Sequence, residues 1–311
     1  MVAAFADPEV FVLPEGLRHP NGLTHDDNGH LYVGFVTSGH ILRVAPDGAS
    51  EVLFSGSDEL FAGTALRYDS ATRRIWVSSP DFLGSGAPRA NRVALFDPDT
   101  RTVVWSATVP DDGFVNDIAL DGSGGAYLTD SRLGRVYHLA GSSTDWTVVA
   151  DDPRLAGKFP SAAGIAFESD LDLIVGLYAD GDILRLTRDV PDAAFDVSPI
   201  ALERPIKNPD GMALLDDGRL LVIEGAMGTR DGKLLLVNLE RQPPARVTVI
   251  GQGLDLPVNL AVHDGRITVS ESGLNHLLAG GDPGKGPSLH RLLTYSLNGD
   301  NEASITSRES E

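Results

Sequence analysis

The sequence predicts an all-β fold, a six-bladed β-propeller, and three observations carry that expectation. A short phrase recurs six times at near-constant spacing. Each copy is followed by a short run of branched and aromatic residues bounded by Gly and Asp turns, a strand signature. No long stretch holds a helical period. The copies are Asn21-Gly22-Leu23, Thr64-Ala65-Leu66, Asn116-Asp117-Ile118, Ala163-Gly164-Ile165, Asp210-Gly211-Met212 and Val258-Asn259-Leu260. They lie 43, 52, 47, 47 and 48 residues apart, the length of a four-stranded blade.

Within each repeat the phrase opens the innermost strand, and a turn leads to the second. The second strands are expected at residues 31–34, 75–78, 126–129, 173–176, 220–223 and 267–270. Third strands follow at 41–44, 93–96, 136–139, 183–186, 234–237 and 292–295, and several alternate apolar with polar residues as a half-exposed sheet does. Fourth strands are weaker, visible at 51–54, 102–105, 147–150 and 247–250. The last repeat has no convincing fourth strand, while the chain begins with an unassigned one at 9–13. Pairing the two closes the ring and removes the open sheet edges. One domain over residues 1–297 is expected, followed by a polar, aromatic-free tail at 298–311.

The chain has 311 residues, enough to bury a large core without staples, and no cysteine. Disulfides, thiolate metal sites and a cysteine nucleophile are therefore excluded. A formal charge of −19, from 44 acidic against 25 basic residues, argues against nucleic-acid and anionic-membrane partners. It suits solubility. The first residues carry no basic n-region and no long apolar stretch, so a cytoplasmic protein is expected, with secretion left open. Nothing in the composition sets an oligomeric state.

In a propeller the innermost strands line a central channel, so matched positions of the phrase converge on one axis. Those positions hold Asn21, Thr64, Asn116, Ala163, Asp210 and Val258, with Asp117 and Asn259 one step along. One carboxylate among amide oxygens suits a hard, oxygen-seeking cation. Ca²⁺ leads; Zn²⁺, Mg²⁺ and Mn²⁺ share the same donors. Asn-Gly and Asp-Gly are also common turn pairs, which is the plainer account of any single copy. Glu224 and Glu271 end second strands, as does Asp130 in the third repeat, where a carboxylate can reach the channel mouth. His276 stands in the longest and most Gly-rich loop, residues 273–287, a candidate lid or specificity element. Phe35, Phe82 and Tyr178 follow second strands and could form an apolar wall. No serine lies in a nucleophile elbow, since Gly84-Ser85-Gly86 lacks the strand-turn-helix setting.

The repeat phrase, the segment Phe114-Val115-Asn116-Asp117 and above all Pro209-Asp210-Gly211-Met212 resemble the senescence marker protein/gluconolactonase (regucalcin-like) family. The resemblance covers nearly the whole chain as architecture, though its specific motifs are a few residues each. It implies a six-bladed propeller that hydrolyses a sugar lactone or related small ester with a divalent metal. By it, Asp210 and Asn116 match two of the family's four metal ligands. Asn21 stands where the family has Glu, and Ala163 where it has a second Asn. Asn259, Glu224 or Glu271 could make good the loss. Asp210 would then serve as metal ligand and general base, with Glu224, Glu271, His276 and Asp117 toward the substrate.

Two other readings stay open on the sequence. One is a propeller enzyme without the standard metal shell, acting on another small metabolite such as an epoxide. The other is a non-catalytic propeller that binds a small molecule or a partner, which Ala163 and Val258 at axial positions favour.

Overall fold

The computed structural model describes residues 7–83, 88–191, 193–239, 243–278, 287 and 289–297. The expected tail at 298–311, most of the proposed lid and the Gly84-Ser85-Gly86 stretch lie outside the described residues.

Six antiparallel four-stranded sheets form the molecule. In chain order they are β2 (Pro20–His25), β3 (Leu31–Phe35), β4 (Ser38–Val44) and β5 (Ser50–Ser55), followed by β6 (Ala65–Asp69), β7 (Arg74–Ser79), β8 (Arg92–Asp97) and β9 (Thr102–Thr108). The third and fourth sheets are β10 (Val115–Leu120) to β13 (Thr147–Ala150), through β11 (Ala126–Asp130) and β12 (Arg135–Leu139), and β14 (Ala162–Ser169) to β17 (Asp196–Pro199), through β15 (Asp172–Leu177) and β16 (Ile183–Thr187). The fifth is β18 (Pro209–Leu214), β19 (Leu220–Glu224), β20 (Gly232–Asn238) and β21 (Arg246–Leu254). The sixth is β22 (Pro257–His263), β23 (Arg266–Glu271) and β24 (Arg291–Ser296), with the N-terminal β1 (Glu9–Val12) as its outer strand.

The first strands of neighbouring sheets touch in turn, β2 on β6, β6 on β10, β10 on β14, β14 on β18, β18 on β22 and β22 back on β2. The ring is closed. It is a six-bladed propeller, as the repeat predicts. β1 pairs antiparallel with β24, from Glu9 opposite Thr294 to Val12 opposite Arg291, which fills the fourth-strand position that the last repeat lacks. Leu13, just beyond β1, is buried in the core between the sixth and first blades.

The cores lie between blades rather than within them. Trp76, Val93 and Leu95 of the second blade pack on Ile118, Leu128 and Tyr137 of the third, and the same arrangement repeats around the ring. Each fully buried Val, Leu or Ile contributes about 1.5–3 kcal/mol against its exposed state. Second strands touch neighbours on both faces, so β3, β11 and β19 are buried along their whole length. That is why they read as largely apolar runs, with Asp130 and Glu224 as buried carboxylates at the ends of β11 and β19. The alternation expected of several third strands is seen most clearly in β4 and β16, while the outer strands β5, β9 and β17 are mostly unburied. β17 carries only one buried residue, Val197, and its sequence gives too little pattern to announce it.

Among the described residues helix is confined to single 3₁₀ turns at Pro110–Asp112 and Leu274–His276. Among the described residues no helix is long and apolar enough to cross a membrane.

Candidate functional site

The repeated phrase lies inside strands, not turns: Asn21 is in β2, Asn116 in β10 and Asp210 in β18. In five of the six inner strands the pairing register slips at the phrase, between Pro20 and Leu23, Val115 and Ile118, Ala162 and Ile165, Pro209 and Met212, and Pro257 and Asn259. Such a bulge frees residues from the ladder and re-aims their side chains. The glycines of the phrase serve a second purpose. A Cβ on Gly164 would lie 2.0 Å from the Asp210 carbonyl oxygen, and one on Gly211 would lie 2.7 Å from the Asn259 Cα. Neighbouring inner strands approach so closely there that no side chain fits.

Asn21, Thr64, Asn116, Asp210 and Val258, five of the six axial residues, line one cavity of about 360 Å³. Its remaining lining is largely apolar, with Phe82, Phe114, Tyr178 and Leu274 prominent. The sixth axial residue, Ala163, is wholly buried and offers no polar group. No hydrogen bond among the described residues engages the side chain of Asn21, Asn116 or Asp210. Burial in these apolar surroundings, together with the negative charge of Asp117, pushes the Asp210 carboxyl well above the usual range. The Tyr178 hydroxyl is also raised, first by burial and then by the charge of Asp210.

Behind the lining, Asp117 is buried and receives three partners. Arg67 Nη2 donates to its Oδ1 at 2.8 Å, Ile118 N to Oδ1 at 2.9 Å and Ile165 N to Oδ2 at 3.3 Å. Burial pushes the Asp117 carboxyl up while Arg67 pulls it down. Asn259 joins the same network rather than the cavity. Its Oδ1 accepts from Leu260 N at 2.9 Å and its Nδ2 reaches the Thr64 carbonyl at 3.5 Å. Asn259 sits one residue past Val258, the residue that faces the cavity, and the strand turns it away. The expected rescue of the ligand set by Asn259 is therefore not supplied by this geometry.

The expected substrate residues divide in the same way. Glu224 is buried at the end of β19 and held by Arg204 Nη1 at 2.6 Å and Lys233 Nζ at 3.3 Å. Its charge is spent on that pair, and it does not line the axial cavity. Glu271 accepts from Asp255 N at 2.8 Å and is paired with Arg291. His276 Nε2 lies 3.0 Å from Asp255 Oδ2. These last two line a second, charged cavity of about 470 Å³ with Arg230, Asp255, His290 and Arg291. Asp130 is wholly buried and organises its own loop, accepting from Phe114 N, Arg132 N and Leu133 N. Of the three aromatic residues expected as a wall, Phe82 and Tyr178 line the cavity, whereas Phe35 is packed in the blade core.

Sequence reasoning passed over Arg67, Leu256, Leu274 and Leu278. Arg67 is the one Arg or Lys in the six inner strands, a signal that was there to read. The leucines stand in connections, where periodicity is silent.

No protein-family model matches the chain, and no curated protein does. Solved structures do. A gluconolactonase from Xanthomonas campestris superposes with a TM-score of 0.62 at 16% identity, covering 94% of this chain and 91% of that one. The chain shares that fold. The calcium-binding protein regucalcin from Agrobacterium tumefaciens gives a TM-score of 0.64 at 16% identity, over 94% of this chain and 93% of its own. A luciferin-regenerating enzyme gives 0.64 at 14% identity, over 94% and 96%. At such identities the likeness establishes architecture, and chemistry has to be argued from the cavity.

Among the described residues no group of three His, Asp or Glu side chains is placed to hold a metal ion. The oxygen donors present are the Asp210 carboxylate and the amides of Asn21 and Asn116, all without protein partners in one cavity. A half-buried carboxylate with no counter-charge beside two free amide oxygens fits a hard cation. It is a lean set. With one formal charge it holds such an ion more weakly than a shell with two carboxylates.

Proposed function

We propose that the chain is a hydrolase of a lactone or related small ester, with the axial cavity as its active site. The observation that carries this reading is the Asp210 carboxyl, unpaired, raised in pKa and facing a cavity of ligand size. A carboxylate with no counter-charge, facing the cavity, is placed to act as general base. Asp210 takes a proton from water as the water oxygen attacks the carbonyl carbon. The ring C–O bond then breaks, and the alkoxide oxygen leaves as a hydroxyl after receiving the proton back. The Asn21 and Asn116 amides orient the carbonyl group, and the Tyr178 hydroxyl donates to oxygen that gains charge. A divalent cation, Ca²⁺ by the donor chemistry, would be held by Asp210, Asn116 and Asn21 and would polarise the carbonyl as a Lewis acid. The gluconolactonase and the calcium-binding regucalcin among proteins of this fold support both halves of the reading.

The experiment is lactone hydrolysis followed by acid release, with Ca²⁺ binding measured by calorimetry in parallel. Asp210→Ala loses both turnover and Ca²⁺ binding. Hydrolysis at the wild-type rate in that variant, with metal content unchanged, sinks the proposal. The second reading, a small-molecule binder without turnover, draws on Ala163 and Val258, which leave two blades with no polar group at the axis. Ligand binding without hydrolysis in the wild type would favour it.

A further inference from the structure

The polar and apolar residues of the axial cavity are segregated. Asn21, Asn116 and Asp210 come from inner strands, and Thr64 is the residue just before one. The walls come from connections at the same end of the ring. Val36, Phe82, Met227 and Leu274 follow second strands, whereas Phe114 and Leu256 precede inner ones. Antiparallel pairing puts the end of each second strand beside the start of its inner strand, as Pro209 opposite Glu224 shows. Every lining residue thus gathers at one mouth.

Among the described residues no Lys, Arg or His lines that cavity, and beyond its polar base the sole polar side-chain group is the Tyr178 hydroxyl. Val36, Leu256, Val258 and Leu274 form a buried cluster to which Phe82 and Leu278 add. On the other side Phe82, Phe114 and Phe159 meet edge to face or tilted, with centroids 5.5 to 6.4 Å apart. Phe159 is 48% exposed and Met227 42% exposed. These side chains extend the apolar surface outward, which is unusual for a site meant to receive a polyol.

We infer that the cavity selects a lactone or ester with an apolar body, such as an aryl-fused or alkyl-substituted ring, over a polyhydroxylated sugar lactone. The inference rests on the hydrolase reading above. The reacting group sits on the amide and carboxylate base, and the body of the molecule lies against the aromatic and leucine walls. Sugar hydroxyls turned to those walls would exchange water for carbon, and a buried hydroxyl without a partner is disfavoured. An apolar body gains there by the same burial. The expected discrimination is on the order of 100-fold in kcat/KM, the scale on which an apolar pocket separates hydroxylated from plain analogues.

The test compares 3,4-dihydrocoumarin with glucono-δ-lactone as substrates of the full chain in the presence of Ca²⁺. Calorimetry with the two matching lactams gives a binding readout that needs no turnover. Preference for the aryl-fused lactone, narrowed at least about tenfold in Phe82→Asn or Leu278→Asn, supports the inference. Preference for the sugar lactone overturns it and leaves the hydrolase reading standing. Selective binding of the aryl-fused lactam with no turnover of either lactone sinks the hydrolase reading and keeps the apolar selectivity. Failure to bind either lactam overturns the inference.

Discussion

Arg67 and Asp117 form an ion pair behind the axial cavity, Nη2 to Oδ1 at 2.8 Å, joining the second inner strand to the third. Asp210 faces the same region with no cation of its own, and the charge of Asp117 adds to its raised pKa. One carboxylate is thereby committed to structure and the other left available.

Removing Arg67 strands a buried charge. Arg67→Met is expected to destabilise the fold by about 3–5 kcal/mol, and Arg67→Met combined with Asp117→Asn by clearly less, because no uncompensated charge remains. Urea denaturation of the two variants and the wild type measures the difference. Equal losses in both would refute the pairing as the cause.

Asp210 weighs on stability in the opposite sense. Its carboxyl is raised in the folded chain, so stability is fully present at low pH and is lost as pH rises from the ordinary carboxylate range through the folded pKa. Asp210→Asn should therefore melt higher than the wild type at pH 8 and alike at pH 3. Added Ca²⁺ should raise the melting temperature of the wild type alone. Thermal melts at the two pH values, with and without the ion, check both statements.

His290 is expected to contribute to the loss of stability in acid. It is 3% exposed, its Nδ1 has no partner among the described residues, and burial followed by the nearby His19 lowers its pKa from 6.5 to about 4. The rings of His19 and His290 meet edge to face at 4.6 Å. A depressed pKa contributes stability that is present above pH 6.5 and lost as pH falls toward 4, on the order of 3 kcal/mol in all. His290→Leu flattens that part of the curve in denaturation series between pH 7 and pH 4. A slope equal to that of the wild type would count against it.

Ring closure depends on β1. Leu13 is 1% exposed at the junction of the sixth and first blades. Leu13→Ala is expected to cost about 2–5 kcal/mol. A chain starting after residue 13 leaves β24 as an open edge and should self-associate, visible as concentration-dependent mass in light scattering. A monomeric truncated chain of full stability would show that closure contributes nothing.

The sequence by itself determined the number of blades, the register of the repeat and the closure by the first strand. All three follow from local pattern: a strand buried on two faces is mostly apolar, and the last repeat visibly lacks its outer strand. It also named five of the residues that share the axial cavity, Asn21, Thr64, Asn116, Asp210 and Val258, because equivalent positions in a propeller converge on one axis. What it could not decide was which neighbouring polar residue faces the cavity. Asn259 and Asp117 differ from Val258 and Asn116 by a single step along a bulged strand, and that step sends them into a hydrogen-bond network instead. Glu224 and Glu271 were placed at the proper ends of their strands, yet Arg204 from the preceding connection and Arg291 on the adjacent strand claim their charges. Strand position is written in local periodicity. The partner a buried charge finds depends on the strand register and on neighbouring connections, which pair Glu271 with Arg291 across one blade and bring Arg204 onto Glu224, and so the folded structure separated the free Asp210 from the carboxylates that resemble it.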